Sequence, residues 1–371
     1  MAATAAGCKS PFCFTGRPLS SRSSQASSNP QSPWLAAWYG AARWTFWLLP
    51  VMWLFIALAG FRRLLILRYQ KKDLPTPVIV VGNISVGGTG KTPLIIALVK
   101  RLQAQGYHPG VMSRGYGGEA PSYPYLLTSA STANEAGDEP LAIFQQTNAA
   151  VVVGADRIAN GKMLEDQGCD ILLSDDGLQH YRLGRDIEIA VVDGQRGLGN
   201  GWRLPVGPLR ESAARLKKVD WVVVNSPSNN FALPAVKGET LFFIPMQIQP
   251  GELIQLNSGK KIARTDLPNQ ITAVAGIGNP QRFVNTLEQL GFQPHLHAFS
   301  DHHHFVVDDF KFSNELPVVM TEKDAVKCRA FARDHWFYLP VSAELPESFW
   351  SALAQKLERV IVRKQSRFPL K

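Results

Sequence analysis

The run Ser85-Val86-Gly87-Gly88-Thr89-Gly90-Lys91-Thr92 carries the residue types needed to hold a chain of phosphates. Its glycines let backbone N–H groups turn toward an anion, Lys91 reaches β- and γ-phosphate oxygens, and the Thr92 hydroxyl suits Mg2+. Ser85 stands where the general G-x-x-x-x-G-K-[ST] pattern has its first glycine, a departure that leaves the mechanism intact. A second feature is Asp175-Asp176, two carboxylates directly after the apolar run Ile171-Leu172-Leu173-Ser174. Carboxylates at the C-terminal end of a buried strand lie where α/β sheets bind ligands, and one of them suits a hard cation directly or through water. The plainer alternative for Asp-Asp-Gly is an Asx turn or a helix cap.

Three further groups are weaker signals. Gly137-Asp138-Glu139-Pro140 places two acids in a turn before a helix, where they would serve the helix N-terminus. Asp301-His302-His303-His304 invites a metal reading. Adjacent histidines in a strand point to opposite faces, however, and no partnered Cys/His set exists, so a solvated polar turn is expected for His303 and His304. Arg210, in Gly207-Pro208-Leu209-Arg210-Glu211, either neutralises phosphate charge or caps a helix.

The elements that must position these groups follow from the hydrophobic pattern. Short apolar runs at 78–81, 110–113, 150–153, 171–174, 187–192 and 221–224 alternate with helical stretches, and they show too little polar alternation for a half-exposed sheet. They predict a parallel sheet covered on both faces. A second α/β set has strands near 271–275, 318–321 and 336–339, a helix over 280–290, and a hairpin within 252–262 around Asn257-Ser258-Gly259. The expected fold is thus a P-loop NTPase-type parallel-sheet domain over 73–235 and a smaller α/β domain over 236–371 that contributes to the cleft.

The N-terminal part is different in kind. Residues 1–33 are rich in Ser, Ala and Pro and read as a disordered leader. Residues 44–61 are 18 consecutive uncharged positions, about 27 Å as a helix against a hydrocarbon core of ~30 Å. Arg62, Arg63, Arg68, Lys71 and Lys72 crowd the C-terminal flank, so residues 34–72 are expected to anchor the chain with its body on the cytosolic side. Charge agrees with this. The nine Lys and Arg of residues 1–72, with no Asp or Glu among them, account for the whole net charge of +9. The chain from Asp73 onward is formally neutral, which argues against a nucleic-acid partner. The four cysteines, at 8, 13, 169 and 328, have neither zinc-ribbon nor disulfide-framework spacing.

In their order the motifs resemble the tetraacyldisaccharide 4'-kinase family, the lipid A 4'-kinases of Gram-negative bacteria. The resemblance rests on residues 82–93, 113–117, 137–140, 175–180, 204–211, Asp301-His302 and 321–327, and runs from about Trp34 to about Val341. It implies transfer of the ATP γ-phosphoryl to the 4'-hydroxyl of a tetraacylated glucosamine disaccharide 1-phosphate at the cytoplasmic face of the inner membrane, giving the 1,4'-bisphosphate precursor of lipid A. It implies no obligate protein partner. It makes Asp138 the general base, with His302 of the second domain as its partner. Lys91, Arg210 and Mg2+ on Thr92 with Glu139 or Asp175 are the candidates for stabilising transferred charge, Asp176 is a candidate for the acceptor side, and Arg114 for the 1-phosphate. A rival reading is a membrane-associated ATPase switch of the partition-protein type. That group has a signature lysine five residues before the P-loop lysine, where this chain has Val86.

Overall fold

The computed structural model describes residues 33–226, 241–312 and 316–368. All but Pro33 of the expected leader, and the boundary expected at 235/236, lie outside these residues. The helices are α1 (Pro33–Tyr39), α2 (Leu49–Tyr69), α3 (Lys91–Ala104), α4 (Ala133–Ala136), α5 (Asp138–Thr147), α6 (Arg157–Asp166), α7 (Pro280–Gln289), α8 (Glu322–Cys328) and α9 (Glu347–Arg367). Strands β1 (Val78–Gly82), β2 (Pro109–Ser113), β3 (Tyr125–Leu126), β4 (Ala150–Val153), β5 (Ile171–Asp175), β6 (Ile187–Asp193), β7 (Trp221–Asn225) and β8 (Ile244–Pro250) enter a larger sheet. Strands β9 (Leu253–Gln255), β10 (Lys261–Ile262), β11 (Gln270–Ala275), β12 (Gln293–Ala298), β13 (Val318–Thr321) and β14 (Trp336–Leu339) form a smaller one, after which β15 (Val341–Glu344) returns to the first.

The larger sheet has the order β15-β8-β7-β6-β1-β5-β2-β4-β3. Its seven inner strands are parallel, and β3 and β15 close the edges antiparallel. The apolar runs lack polar alternation because both faces are covered. Ile79 and Val81 pack with α3 residues Leu94, Ile95 and Leu98, while Val78 and Val80 pack on the opposite side with Leu172 and Leu183. The smaller sheet, β10-β9-β14-β13-β11-β12, has the expected hairpin at β9 and β10. The sheets do not divide where the sequence suggested. Strands β8 and β15 belong to the larger sheet, and α9 lays Phe349, Leu353 and Leu357 onto its core. An edge strand and a helix that follow the smaller sheet in the chain therefore fasten the two units together.

The apolar N-terminal segment is a 3-10 turn, Trp44–Leu48, followed by α2. Pro50 sits in the first turn of α2, where its missing N–H costs nothing, and that sets the break between the two. Helix α2 runs eight residues past the expected uncharged stretch and is about 31 Å long. Trp44–Tyr69 contains an 18-residue window with a mean hydropathy of 1.8 and is long and apolar enough to cross a membrane. Of α2 only Met52 and Ile66 are buried, and Trp53, Leu54, Leu58 and Phe61 stand exposed. The segment is therefore not the core helix of a soluble body.

Candidate active site

Strand β1 delivers the chain into the loop of residues 83–90, and α3 begins at Lys91. Gly90 precedes the helix with φ +93, and a Cβ there would lie 2.4 Å from the Asn225 amide nitrogen, so only glycine fits. That amide donates to Thr89 O at 3.1 Å and holds the crest of the loop. Ser85 is not among the described residues with positive φ, which is why a residue with a side chain stands in the usual glycine position. Its neighbourhood is fixed by residues 204–211: Val86 N–H donates to Pro208 O at 2.9 Å and Arg210 N–H to Ile84 O at 2.7 Å.

Behind the loop, β5 ends in Asp175. Its Oδ2 accepts from Ser113 Oγ at 3.0 Å, while its buried Oδ1 has no hydrogen-bond partner among the described residues. Burial and the charge of Glu139 push its carboxyl up to about 6, against the pull of Lys91. A buried oxygen without a partner, beside the strand end that faces the P-loop, fits a hard cation, which would reverse that upward push. Asp176 adopts φ +47 and turns its carboxylate between two cations, with Arg210 Nη1 at 2.8 Å and Lys91 Nζ at 3.6 Å. Burial alone would raise its pKa, but Lys91 and Arg210 outweigh that and hold it below the ordinary range.

The third cluster joins the two units. Gly137, with φ +85 and only 2.8 Å from its Cβ position to Tyr116 O, caps α5, so Asp138 and Glu139 occupy the first turn at the positive end of the helix. Asp138 Oδ2 lies 3.3 Å from His302 Nδ1 and 3.4 Å from Lys327 Nζ. Both are ion-pair distances, so this buried oxygen sits between an imidazole and an ammonium group. Burial pushes the Asp138 carboxyl up, but His302, Lys327 and Lys323 together bring it below its usual value. Lys323 Nζ donates to Asp301 Oδ1 at 3.0 Å and Glu139 Oε1 at 3.4 Å, and lies 3.3 Å from His302 Nε2. Burial lowers its pKa, yet the charges of Glu139 and Asp301 leave it raised. A carboxylate oriented by an imidazole and steadied by two ammonium groups is suited to take a proton from a hydroxyl.

A model of the Tetraacyldisaccharide-1-P 4'-kinase family matches residues 44–358. The chain belongs to this family. Tetraacyldisaccharide 4'-kinase of Aeromonas salmonicida is 47% identical over 88% of this chain and 96% of the relative, and that of Methylobacillus flagellatus is 44% identical over 89% and 97%. A crystal structure of LpxK from Aquifex aeolicus in complex with ATP superimposes with a TM-score of 0.71 at 26% identity, covering 85% of this chain and 99% of that one. The chain is accordingly a lipid A 4'-kinase, a phosphotransferase, and not a partition-type ATPase switch.

The structure brings Lys91, Asp175, Asp176 and Arg210 together, and Asp138, Glu139 and His302 beside them, with Glu139 close enough to Asp175 to raise its pKa. The Arg210 guanidinium goes to Asp176 rather than to a helix end. Thr92 lies half-buried in the first turn of α3. Residues 301–304 form a turn rather than a strand, with His302 at φ +61. His303 is not a solvated turn residue. Its Nε2 lies 2.9 Å from Asp309 Oδ2, and its ring packs on Phe299 and Phe305. Among the described residues no group of three or more His, Cys, Asp or Glu converges as a metal site. Sequence reasoning passed over Ser113 and Asn225, and gave Lys323 and Lys327 no role. A signal existed for the first two, since each is a polar residue closing an apolar strand.

Proposed function

We propose that Asp138, oriented by His302, is the general base for phosphoryl transfer from ATP to the 4'-hydroxyl of tetraacyldisaccharide 1-phosphate. The observation that carries this reading is the meeting of Asp138 Oδ2 with His302 Nδ1 at 3.3 Å across the two units. A carboxylate held in this way is fixed in orientation and kept ionised, as a proton acceptor must be. A carboxylate held below its usual pKa is ionised at neutral pH but a weak base. The reaction tolerates this, because a loose transition state asks more of charge stabilisation than of deprotonation.

Backbone N–H groups of residues 85–90 and the start of α3 would cradle the triphosphate, with Lys91 on the β- and γ-oxygens. Asp176, by pairing with both, fixes Lys91 and Arg210 where charge builds up on the transferred group. Thr92 with Asp175 or Glu139 would hold Mg2+, which neutralises phosphate charge when bound. His180 stands near Arg157 and Arg114, and burial with their charges pushes it down to about 4. That neutral imidazole in a cationic corner supports Arg114 as a partner for the 1-phosphate. Water must be kept from ATP until the lipid arrives, and closing the smaller unit onto α5 does this while completing the base.

Helix α2 would bring the enzyme to a substrate whose four acyl chains leave the bilayer only at ~0.8 kcal/mol per CH2. Its exposed apolar surface, with Arg62 and Arg63 in its C-terminal half and Lys71 and Lys72 just beyond it, supports placement at the cytoplasmic face of the inner membrane. Cosedimentation with anionic vesicles tests it, and a protein that stays in the supernatant would refute it. The reaction itself is tested with γ-labelled ATP, Mg2+ and tetraacyldisaccharide 1-phosphate in detergent micelles, beside Lys91→Ala. Label is expected in the lipid only with Lys91 intact. Free phosphate with no labelled lipid would overturn the reading.

A further inference from the structure

The loop of residues 194–211 touches three parts of the molecule. The N-terminal segment holds it on one side, where Asn200 N–H donates to Trp38 O at 2.8 Å and Trp38 Nε1 to Pro205 O at 3.0 Å. The P-loop holds it on the other, through the bonds of Val86 and Arg210 given above. Asp193, buried at the end of β6, fixes the start of the loop by accepting from the N–H groups of Gln195 and Arg196. From this base the Arg196 guanidinium reaches all three parts. It lies 5.6 Å from the centroid of the Tyr39 ring in α1 and donates to Gly278 O at 2.9 Å. It also comes within 3.4 Å of the point where Gly87 would carry a Cβ.

Gly278 lies in the turn between β11 and α7 of the smaller unit. Its own Cβ position is 3.8 Å from Gly88 N and 3.6 Å from Asp301 Oδ2, so this turn rests on the P-loop crest and against the neighbour of His302. A second grip lies nearby, where Arg282 of α7 donates to Asn225 Oδ1 and the Asn225 amide holds Thr89 O. Of the two arginines, Arg196 is the one that the larger unit extends to the smaller.

We propose that Arg196 is a positioning residue for phosphoryl transfer. By holding the turn at Gly278 over the P-loop crest, it sets where Asp301 and His302 stand relative to Asp138, and its packing on Tyr39 links that placement to the N-terminal segment. The inference rests on the Asp138–His302 reading. The residue type matters. A planar guanidinium can donate to a carbonyl while its face lies on a ring, and an ammonium cannot do both.

The test is steady-state kinetics of the full chain in micelles with tetraacyldisaccharide 1-phosphate, for wild type, Arg196→Ala, Arg196→Lys and Tyr39→Leu, with Arg196→Ala repeated in a His302→Ala background. Arg196→Ala is expected to lower kcat at least about tenfold with KM for ATP within about threefold, since small misplacements of reacting groups are expensive. Arg196→Lys should recover part of the loss, and Tyr39→Leu should cost about threefold. In the His302→Ala background the same Arg196→Ala change should cost less than about threefold, because residues acting through one another are non-additive. A kcat for Arg196→Ala within about twofold of wild type overturns the proposal, as does an undiminished loss in the His302→Ala background. A wild-type enzyme that labels no lipid would instead remove the functional reading beneath it.

Discussion

Lys91 and Thr92 stand at the start of a helix within the larger unit, and Lys91 pairs there with Asp176 of the same unit, whereas Asp138 faces a histidine that the smaller unit supplies. The P-loop stands between a fully buried strand and a helix whose inner face is fully buried, so its shape is set within the larger unit. The base half is joined by ion pairs across units, Lys323 to Glu139 and Lys327 to Asp138, with Asp301 of the smaller unit also on Lys323. On the proposed reading, nucleotide binding rests on the larger unit, while use of the nucleotide also needs the smaller unit's His302 beside Asp138.

Substitutions should separate the two halves. Lys91→Ala should have the largest effect, a loss of at least about 10³-fold in kcat, since it removes a cation that meets charge on the transferred group. A labelled-lipid assay with a detection limit below that level checks it. Asp138→Ala comes next, with kcat down about 10²- to 10³-fold and the ATP dissociation constant within about threefold. Calorimetric titration with a non-hydrolysable ATP analogue measures the second quantity, and a parallel loss of affinity would break the comparison. Lys323→Met should be milder, about tenfold in kcat, because it removes the bridge from α8 to Glu139 and Asp301 but leaves Lys327 beside Asp138. Restoration by Lys323→Arg would show that the charge, rather than the shape, is what matters.

The same contrast explains what was legible in the sequence. The P-loop is contiguous, and its flanking strand and helix are marked by apolar runs, so both function and position could be read from residues 78–93. Asp175 was legible because a strand that ends in a carboxylate is a local pattern. The partners of these residues were not. Nothing in the composition near Asp176 says that it bridges Lys91 and Arg210, because Arg210 reaches it through a loop that first pairs with Ile84. His302 could be assigned only through family resemblance, since a positive-φ turn after an edge strand has no distinctive spacing. The division into sheets misled for a physical reason. The runs at β8 and β15 are only half-buried and interleave polar residues with apolar ones, so nothing local says which of the two sheets they join.

The smallest effect concerns the joint itself. Glu322 begins α8 and packs against α5, beside a cavity of about 50 Å³ lined by Ala142, Gln146, Ala325, Arg329 and Tyr338. Burial pushes its carboxyl from 4.5 up to about 7, although Lys100, Gln146, the Val341 N–H and Arg329 work the other way. A group whose folded pKa is raised contributes stability below its unfolded pKa and loses it as pH rises through the folded value. Stability should therefore fall between about pH 4.5 and 7, and Glu322→Gln should flatten that slope and gain on the order of 1 kcal/mol at pH 8. Chemical denaturation at pH 5 and pH 8 measures both, and an unchanged slope in the variant would show that Glu322 is not the titrating group. The comparison between halves then makes a further demand. If ionised Glu322 weakens the contact of α8 with α5, which carries Asp138, wild-type turnover between pH 7 and 8 should fall relative to Glu322→Gln while ATP affinity stays the same in both.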